Sequence, residues 1–161
     1  MSEFLPAFDF MIPHEGGYVD DPADAGGETK YGISKRDHPT LDIANLTMDE
    51  ARTIYEHEYW NPYPYGQIDN QNVANKVFDA TVNMGSSQSH KLLQRACGAC
   101  GAPVVVDGQL GPITLAAVNS IDPTALLMEF RAKMKDFYYQ LAESKPSNQR
   151  FLDGWLARAN A

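Results

Sequence analysis

The chain has 161 residues and a net charge of -8, from 13 Lys and Arg against 21 Asp and Glu. That balance excludes a broad phosphate-neutralising face, which needs clustered cations, so no nucleic-acid partner is expected. Hydrophobic residues make up 43% and charged residues 21%, which excludes a disordered chain and leaves one domain, or one with a small appendage, able to bury a core without disulfides or metal.

In chain order, the first helix is predicted over 4–14. The segment Met1-Ser2-Glu3-Phe4 lacks a basic region, and Pro6, Asp9 and His14 interrupt the apolar residues that follow. It does not read as a signal peptide, so synthesis in the cytoplasm is expected. Residues 15–33 differ from the rest. They hold five glycines (16, 17, 26, 27 and 32), Pro22, and the acids Asp20, Asp21, Asp24 and Glu28. This composition predicts a turn-rich loop with a short β-hairpin ending near Tyr31-Gly32-Ile33, and such long loops usually carry function.

A second helix is predicted over 47–60. It opens on Thr47-Met48-Asp49-Glu50, a capping box, and stops at Asn61-Pro62. Helices over 70–84 and 87–97 follow, the first with a stripe of Val73, Val77, Phe78 and Thr81 closed by Met84-Gly85. Further helices are predicted over 112–120, 123–143 and 148–159. The clearest is 123–143, where Leu126, Leu127, Phe130, Met134, Phe137, Tyr138 and Leu141 recur at steps of three and four. No apolar run approaches the ~18 residues of a membrane span. The fold class is mainly α. Gly85-Ser86-Ser87 divides 1–85 from 86–161, and the two regions are expected to pack as one compact unit. Cys97 and Cys100 form a lone Cys-Gly-Ala-Cys without a second pair, so both read as reduced structural thiols. His38, His57 and His90 show no ligand spacing, so neither metal nor cofactor is expected.

The candidate chemistry lies at Glu15. Phe10, Met11 and Ile12 precede it, and a carboxyl against apolar walls loses hydration, which favours the protonated form a general acid needs. A second carboxylate in a wetter loop stays ionised. Glycoside hydrolysis uses such a pair, one to protonate the leaving oxygen and one to activate water. The same residues also fit a plainer reading, in which Glu15 caps or ion-pairs and the aspartates only form turns.

A resemblance bears on this choice. His14-Glu15-Gly16-Gly17-Tyr18-Val19-Asp20-Asp21-Pro22 and Asp24-Ala25-Gly26-Gly27-Glu28-Thr29-Lys30-Tyr31-Gly32-Ile33-Ser34 resemble the N-terminal signature of glycoside hydrolase family 108, a family of lysozyme-like N-acetylmuramidases. The similarity continues at Leu46–Ala51, Ile54-Tyr55, Tyr59-Trp60, Phe78-Asp79 and Val82-Asn83-Met84-Gly85. Val106-Asp107-Gly108-Gln109-Leu110-Gly111-Pro112-Ile113-Thr114 is similar to the predicted peptidoglycan-binding module that accompanies this family.

The resemblance implies hydrolysis of the β-1,4 bond between N-acetylmuramic acid and N-acetylglucosamine, without a cofactor, on glycan strands of peptidoglycan. It places Glu15 as general acid, with Asp24 as second carboxylate and Thr29 holding the attacking water. Phage lysozymes carry eight residues between the glutamate and aspartate and five between the aspartate and threonine. Here the gaps are eight and four, so Asp20 and Asp21 remain substitutes for Asp24. Inversion is expected, with carboxyls roughly 6.5–9.5 Å apart. Tyr31 and Tyr63 are candidate sugar-stacking rings, from a set that includes Tyr59, Trp60 and Tyr65. Asn83 is a candidate partner for an acetamido group. The Asp107 to Pro112 segment is expected to shape a turn rather than bind. A monomer is expected, reaching the wall after holin release or secretion. A lytic transglycosylase, a non-catalytic wall-binding protein and a protein–protein adaptor stay open as alternatives. Anhydro product ends, binding without cleavage, and no wall affinity would identify each in turn.

Overall fold

A computed structural model describes residues 1–20 and 27–161. Within them seven α-helices dominate: α1 (Phe4–Met11), α2 (Met48–Tyr55), α3 (Gln71–Met84), α4 (Ser86–Ala99), α5 (Pro112–Ser120), α6 (Pro123–Ser144) and α7 (Leu152–Asn160). Two short strands, β1 (Thr29–Lys30) and β2 (Ile33–Ser34), pair antiparallel with Thr29 opposite Ser34. The mainly α class read from the sequence is the class observed.

The core is organised around α3. Asn70 caps it by accepting from the backbone N–H groups of Asn72 and Val73. Every residue from Val73 to Thr81 is buried, so this helix is wrapped on all sides rather than on one stripe. α1 packs against it through Phe4, Ala7, Phe8 and Met11, and α4 and α6 close the other sides. Lys76 and Asp79 lie inside this envelope, where an isolated charge is costly, so each must find a partner. Gly85, with φ of +82°, lets the chain reverse between α3 and α4.

Local signals explain the helix ends. Thr47 and Glu50 form the capping box at α2, each satisfying the other's backbone N–H. The predicted helix 47–60 changes winding at Glu56–Trp60, which is π-helical, with the Asn61 N–H donating to the Glu56 carbonyl at 2.8 Å. Asp122 caps α6 by accepting from the Ala125 N–H, with Pro123 at its first position. Lys145 ends it in extended backbone before Pro146, as a pre-proline residue prefers. The predicted helix 148–159 begins as a 3-10 turn at Pro146–Phe151 before becoming α7.

The Asp107 to Pro112 segment is a turn tied to α4. Gln94 donates to the Asp107 carboxylate at 2.8 Å and to the Gln109 carbonyl at 3.0 Å, and accepts from the Gly108 N–H at 2.8 Å. His90 joins the Gly108 carbonyl to the Tyr65 hydroxyl, so the turn is linked through α4 to the first region. Cys97 is buried and Cys100 half-buried, both free; burial pushes the Cys97 thiol up to about 11. Among the described residues no helix is long and apolar enough to cross a membrane.

Candidate active site

Glu15 is delivered by the end of α1. Ile12–His14 tightens into a 3-10 turn, the Glu15 N–H closes it on the Ile12 carbonyl at 3.1 Å, and Gly16, at φ of +72°, turns the chain away. The carboxyl is left at a boundary, with 15% of the side chain exposed, so solvent and substrate can reach it.

One oxygen of this carboxyl meets charge. Glu15 Oε1 accepts from Arg158 Nη2 at 2.7 Å, across 143 residues of sequence. The same guanidinium donates from Nε to Asp79 Oδ1 at 2.9 Å and from Nη2 to the Asp79 carbonyl at 3.2 Å. His14 Nδ1 lies 3.0 Å from Asp79 Oδ1. Lys76 Nζ lies 3.6 Å from Asp79 Oδ2 and donates to the Arg158 carbonyl. Asp79 Oδ2 has no hydrogen-bond donor among the described residues. The carboxyls of Glu15 and Asp79 thus share Arg158, and Asp79 also faces Lys76, in a largely dry site. Burial weighs against the charge on Arg158, but Asp79 and Glu15 outweigh it and hold the guanidinium charged. The apolar surroundings expected of Glu15 from Phe10, Met11 and Ile12 therefore give way to an ion-pair network, because α7 folds back over α3.

The other oxygen faces the hairpin. Tyr31 (φ +53°) and Gly32 (φ +77°) form its two-residue turn, both in the left-handed region that a type I′ turn requires. A side chain at position 32 would place its Cβ 2.5 Å from both Glu15 Oε2 and the Tyr55 hydroxyl, so only glycine fits against the carboxyl. The Tyr55 hydroxyl donates to the Tyr31 carbonyl at 2.9 Å and ties the turn to α2. Gly32 and Tyr55 also line a cavity of about 200 Å³, whose polar walls include Ser34, Asp37, His38 and Glu58.

The other residues predicted for the site fall as follows. Thr29 sits in β1, flanked on one side by Ser34 and on the other by Val19, with which it exchanges two backbone hydrogen bonds of 2.8 Å. Its hydroxyl donates to the Gly27 carbonyl at 3.3 Å. Asp24, like Asp21, lies outside the described residues, and Asp20 is exposed. Tyr31 is half-buried, with Lys30 Nζ 5.5 Å from its ring centre. Tyr63 is held at the α3–α4 junction, its hydroxyl donating to Ser86 at 2.7 Å and its ring edge-on to His90. Of the aromatic set, Tyr65 and Trp60 belong to the core, and Tyr59 is half-buried. Asn83 is half-buried on α3, one turn beyond Asp79, and accepts from the Tyr138 hydroxyl at 2.5 Å. Arg158 and Lys76 belong to no functional motif in the sequence, and Asp79 enters there only within the resemblance at Phe78-Asp79, without a site role. The available signal was Lys76 and Asp79, three residues apart inside the apolar stripe Val73, Val77, Phe78, and Arg158 three residues after Trp155 on the apolar side of α7.

Lys76 gives this network a pH dependence. Burial pulls its ammonium down from 10.5 to about 8, against the opposing pull of Asp79. Between those values the unfolded chain binds the proton more often than the folded one, so this group's contribution to stability rises with pH. Urea unfolding at pH 7 and 9.5 is expected to show wild type gaining on Lys76→Met by on the order of 1 kcal/mol per pH unit above pH 8. Parallel pH curves for the two proteins would contradict it.

Residues 8–85 match the glycosyl hydrolase 108 family, and residues 88–160 match the predicted peptidoglycan domain. The solved structure of SagA from Brucella abortus is similar: 27% identity, a TM-score of 0.76, and coverage of 98% of this chain and 89% of that one. No curated protein matches. A lysozyme-like helical fold around a glutamate at the end of α1, joined to a peptidoglycan domain, is that of a glycoside hydrolase acting on peptidoglycan. The chain carries a glycosyl hydrolase 108 region followed by a predicted peptidoglycan domain.

Proposed function

We propose that the chain is an N-acetylmuramidase that hydrolyses the β-1,4 bond between N-acetylmuramic acid and N-acetylglucosamine. The observation that carries this reading is the Glu15 carboxyl, reachable by substrate, with one oxygen on Arg158 and the other against the hairpin turn at Gly32. In this reading Glu15 protonates the glycosidic oxygen as the bond to the anomeric carbon breaks. The anion it becomes is met at once by Arg158, whose position is fixed in advance by Asp79, so little reorganisation is needed. Water attacks the opposite face of the sugar, deprotonated by Asp24 and aligned by Thr29, and the anomeric configuration inverts. Hairpin residue Tyr31 and junction residue Tyr63 are proposed to border the glycan. The reaction takes place on the cell wall, after the protein leaves the cytoplasm.

The choice of aspartate is tested by solubilisation of purified peptidoglycan sacculi. Asp24→Asn is expected to lower the rate by on the order of 10²–10⁴-fold, while Asp20→Asn and Asp21→Asn stay within a few-fold of wild type. A wild-type rate for Asp24→Asn would move the role to another carboxylate.

A further inference from the structure

α4 stops at a reversal on Gly101, with φ of +86°, and a second reversal joins α5 to α6. Both reversals line one groove of about 510 Å³, the size of an ordinary ligand pocket. Its lining runs from Ala99 to Glu129, inside the stretch that matches the predicted peptidoglycan domain. None of the lining residues belongs to the site around Glu15. Ala102, Ile121, Ala125 and Met128 give the groove an apolar surface, and Met128 is 64% exposed.

The charge of the groove is of one sign. Among the described residues Asp122 and Glu129 line it, and no Lys, Arg or His does. α4 and α5 both end there and bring the negative poles of their dipoles. The one positive pole, at the start of α6, is already met by Asp122, which accepts from the Ala125 N–H at 3.0 Å. Glu129 is half-buried and has neither a hydrogen bond nor an ion pair among the described residues. Its charge reaches Cys100, whose thiol is pushed up by burial and then by Glu129, so the two side chains share the same space. A half-buried carboxylate of this kind gains most from a partner that brings both charge and donors.

We infer that this groove binds the peptide stem of peptidoglycan, with the free amine of the stem against the Glu129 carboxylate and its alanine methyl groups against Ala102, Ile121 and Met128. The inference rests on the reading of peptidoglycan as substrate, and adds a contact with the wall through residues that take no part in the Glu15 site. A primary ammonium has three donors and no acceptor, which complements a carboxylate that has acceptors only. A glycan strand stripped of its peptides offers no such group.

Pelleting with purified sacculi measures the contact in Glu15→Gln, which is expected to bind without cutting. Adding Glu129→Gln to that chain is expected to weaken binding roughly 10-fold, and acetylating the free amines of the sacculi is expected to weaken it by the same factor. Applied together, the two changes are expected to cost no more than either alone, because each removes one half of a single contact. Met128→Lys sets a like charge in the groove and is expected to weaken binding as well, with a melting temperature close to wild type. Cys100 reports occupancy directly, since it lines the groove while Cys97 is buried. Soluble muropeptides with a free amine are expected to slow alkylation of Cys100 several-fold in Glu15→Gln, and the same muropeptides with that amine acetylated are expected to leave it unchanged. Undiminished binding after Glu129→Gln, equal binding to acetylated sacculi, or equal protection of Cys100 by an unrelated lysine peptide would overturn the inference. Binding that depends on the amine and on Glu129, from a chain whose wild type releases no product, upholds the groove and defeats the hydrolase reading. Solubilisation by wild type, with binding indifferent to Glu129, does the reverse.

Discussion

Glu15→Gln is expected to lower the rate of peptidoglycan solubilisation by on the order of 10²–10⁴-fold, with little change in thermal stability. Glutamine has the size of the native side chain, and its carbonyl oxygen still accepts from Arg158 Nη2 where Glu15 Oε1 does now, at 2.7 Å. What it lacks is a proton that can be passed to a leaving oxygen. The contrast between an intact fold and a lost rate separates a reacting carboxyl from one that merely joins α1 to α7. Turbidity loss of a sacculus suspension, followed beside a melting curve, measures both. Equal rates for wild type and Glu15→Gln would take Glu15 out of the chemistry.

Arg158→Met is expected to have the largest effect on stability. Asp79 is fully buried, and Arg158 is its closest cation. Taking away one partner of a buried ion pair leaves an uncompensated charge, at a cost of about 3–5 kcal/mol. At roughly 2–4 °C per kcal/mol for a chain of this size, the melting temperature is expected to fall by about 6–20 °C. Met keeps the stem and the packing, so the loss reports the charge. Lys76 and His14 still face Asp79 and soften the effect, which places the expected fall below complete unfolding. The rate is expected to fall as well, because the Glu15 carboxyl loses the group that orients it, and a displacement of about 1 Å at a reacting atom costs on the order of 100-fold. Calorimetry of the two proteins settles it; a melting temperature within about 2 °C of wild type would show that the network carries no net stability.

Much of the scaffold could be read from local pattern. The helix over Pro112–Ser120 has the bounds expected of it, and the capping box at Thr47 and Glu50 forms as its residues imply. The stripe along 123–143 delivers Leu126, Phe130, Met134 and Tyr138 to the core. The glycine pattern predicts a hairpin ending near Tyr31-Gly32-Ile33; its turn falls on Tyr31-Gly32 instead, and the second strand runs on to Ser34. These features depend on neighbours within a few positions, which is the range over which periodicity and caps act. The network around Glu15 depends on pairs 143, 79 and 65 residues apart, and no periodicity encodes such distances. A long loop of glycines announced Glu15 and its hairpin, but nothing in that loop announced Arg158. The charged residues Lys76 and Asp79 in an apolar stripe were the visible anomaly, since buried charges occur where they are paired. The aromatic residues divided for a related reason. Tyr65 has Thr81 and His90 to satisfy its hydroxyl in the interior, whereas Tyr63 reaches Ser86 at the helix junction, and composition alone does not separate the two.

The central claim is that water, helped by the Glu15 proton, ends the glycan chain at N-acetylmuramic acid. Digested sacculi reduced with borohydride and resolved by mass spectrometry test it most directly. The expected product carries reduced muramic acid at its new ends, formed by wild type and missing after treatment with Glu15→Gln. New ends made of 1,6-anhydro-muramic acid, or of reduced glucosamine, would contradict the claim.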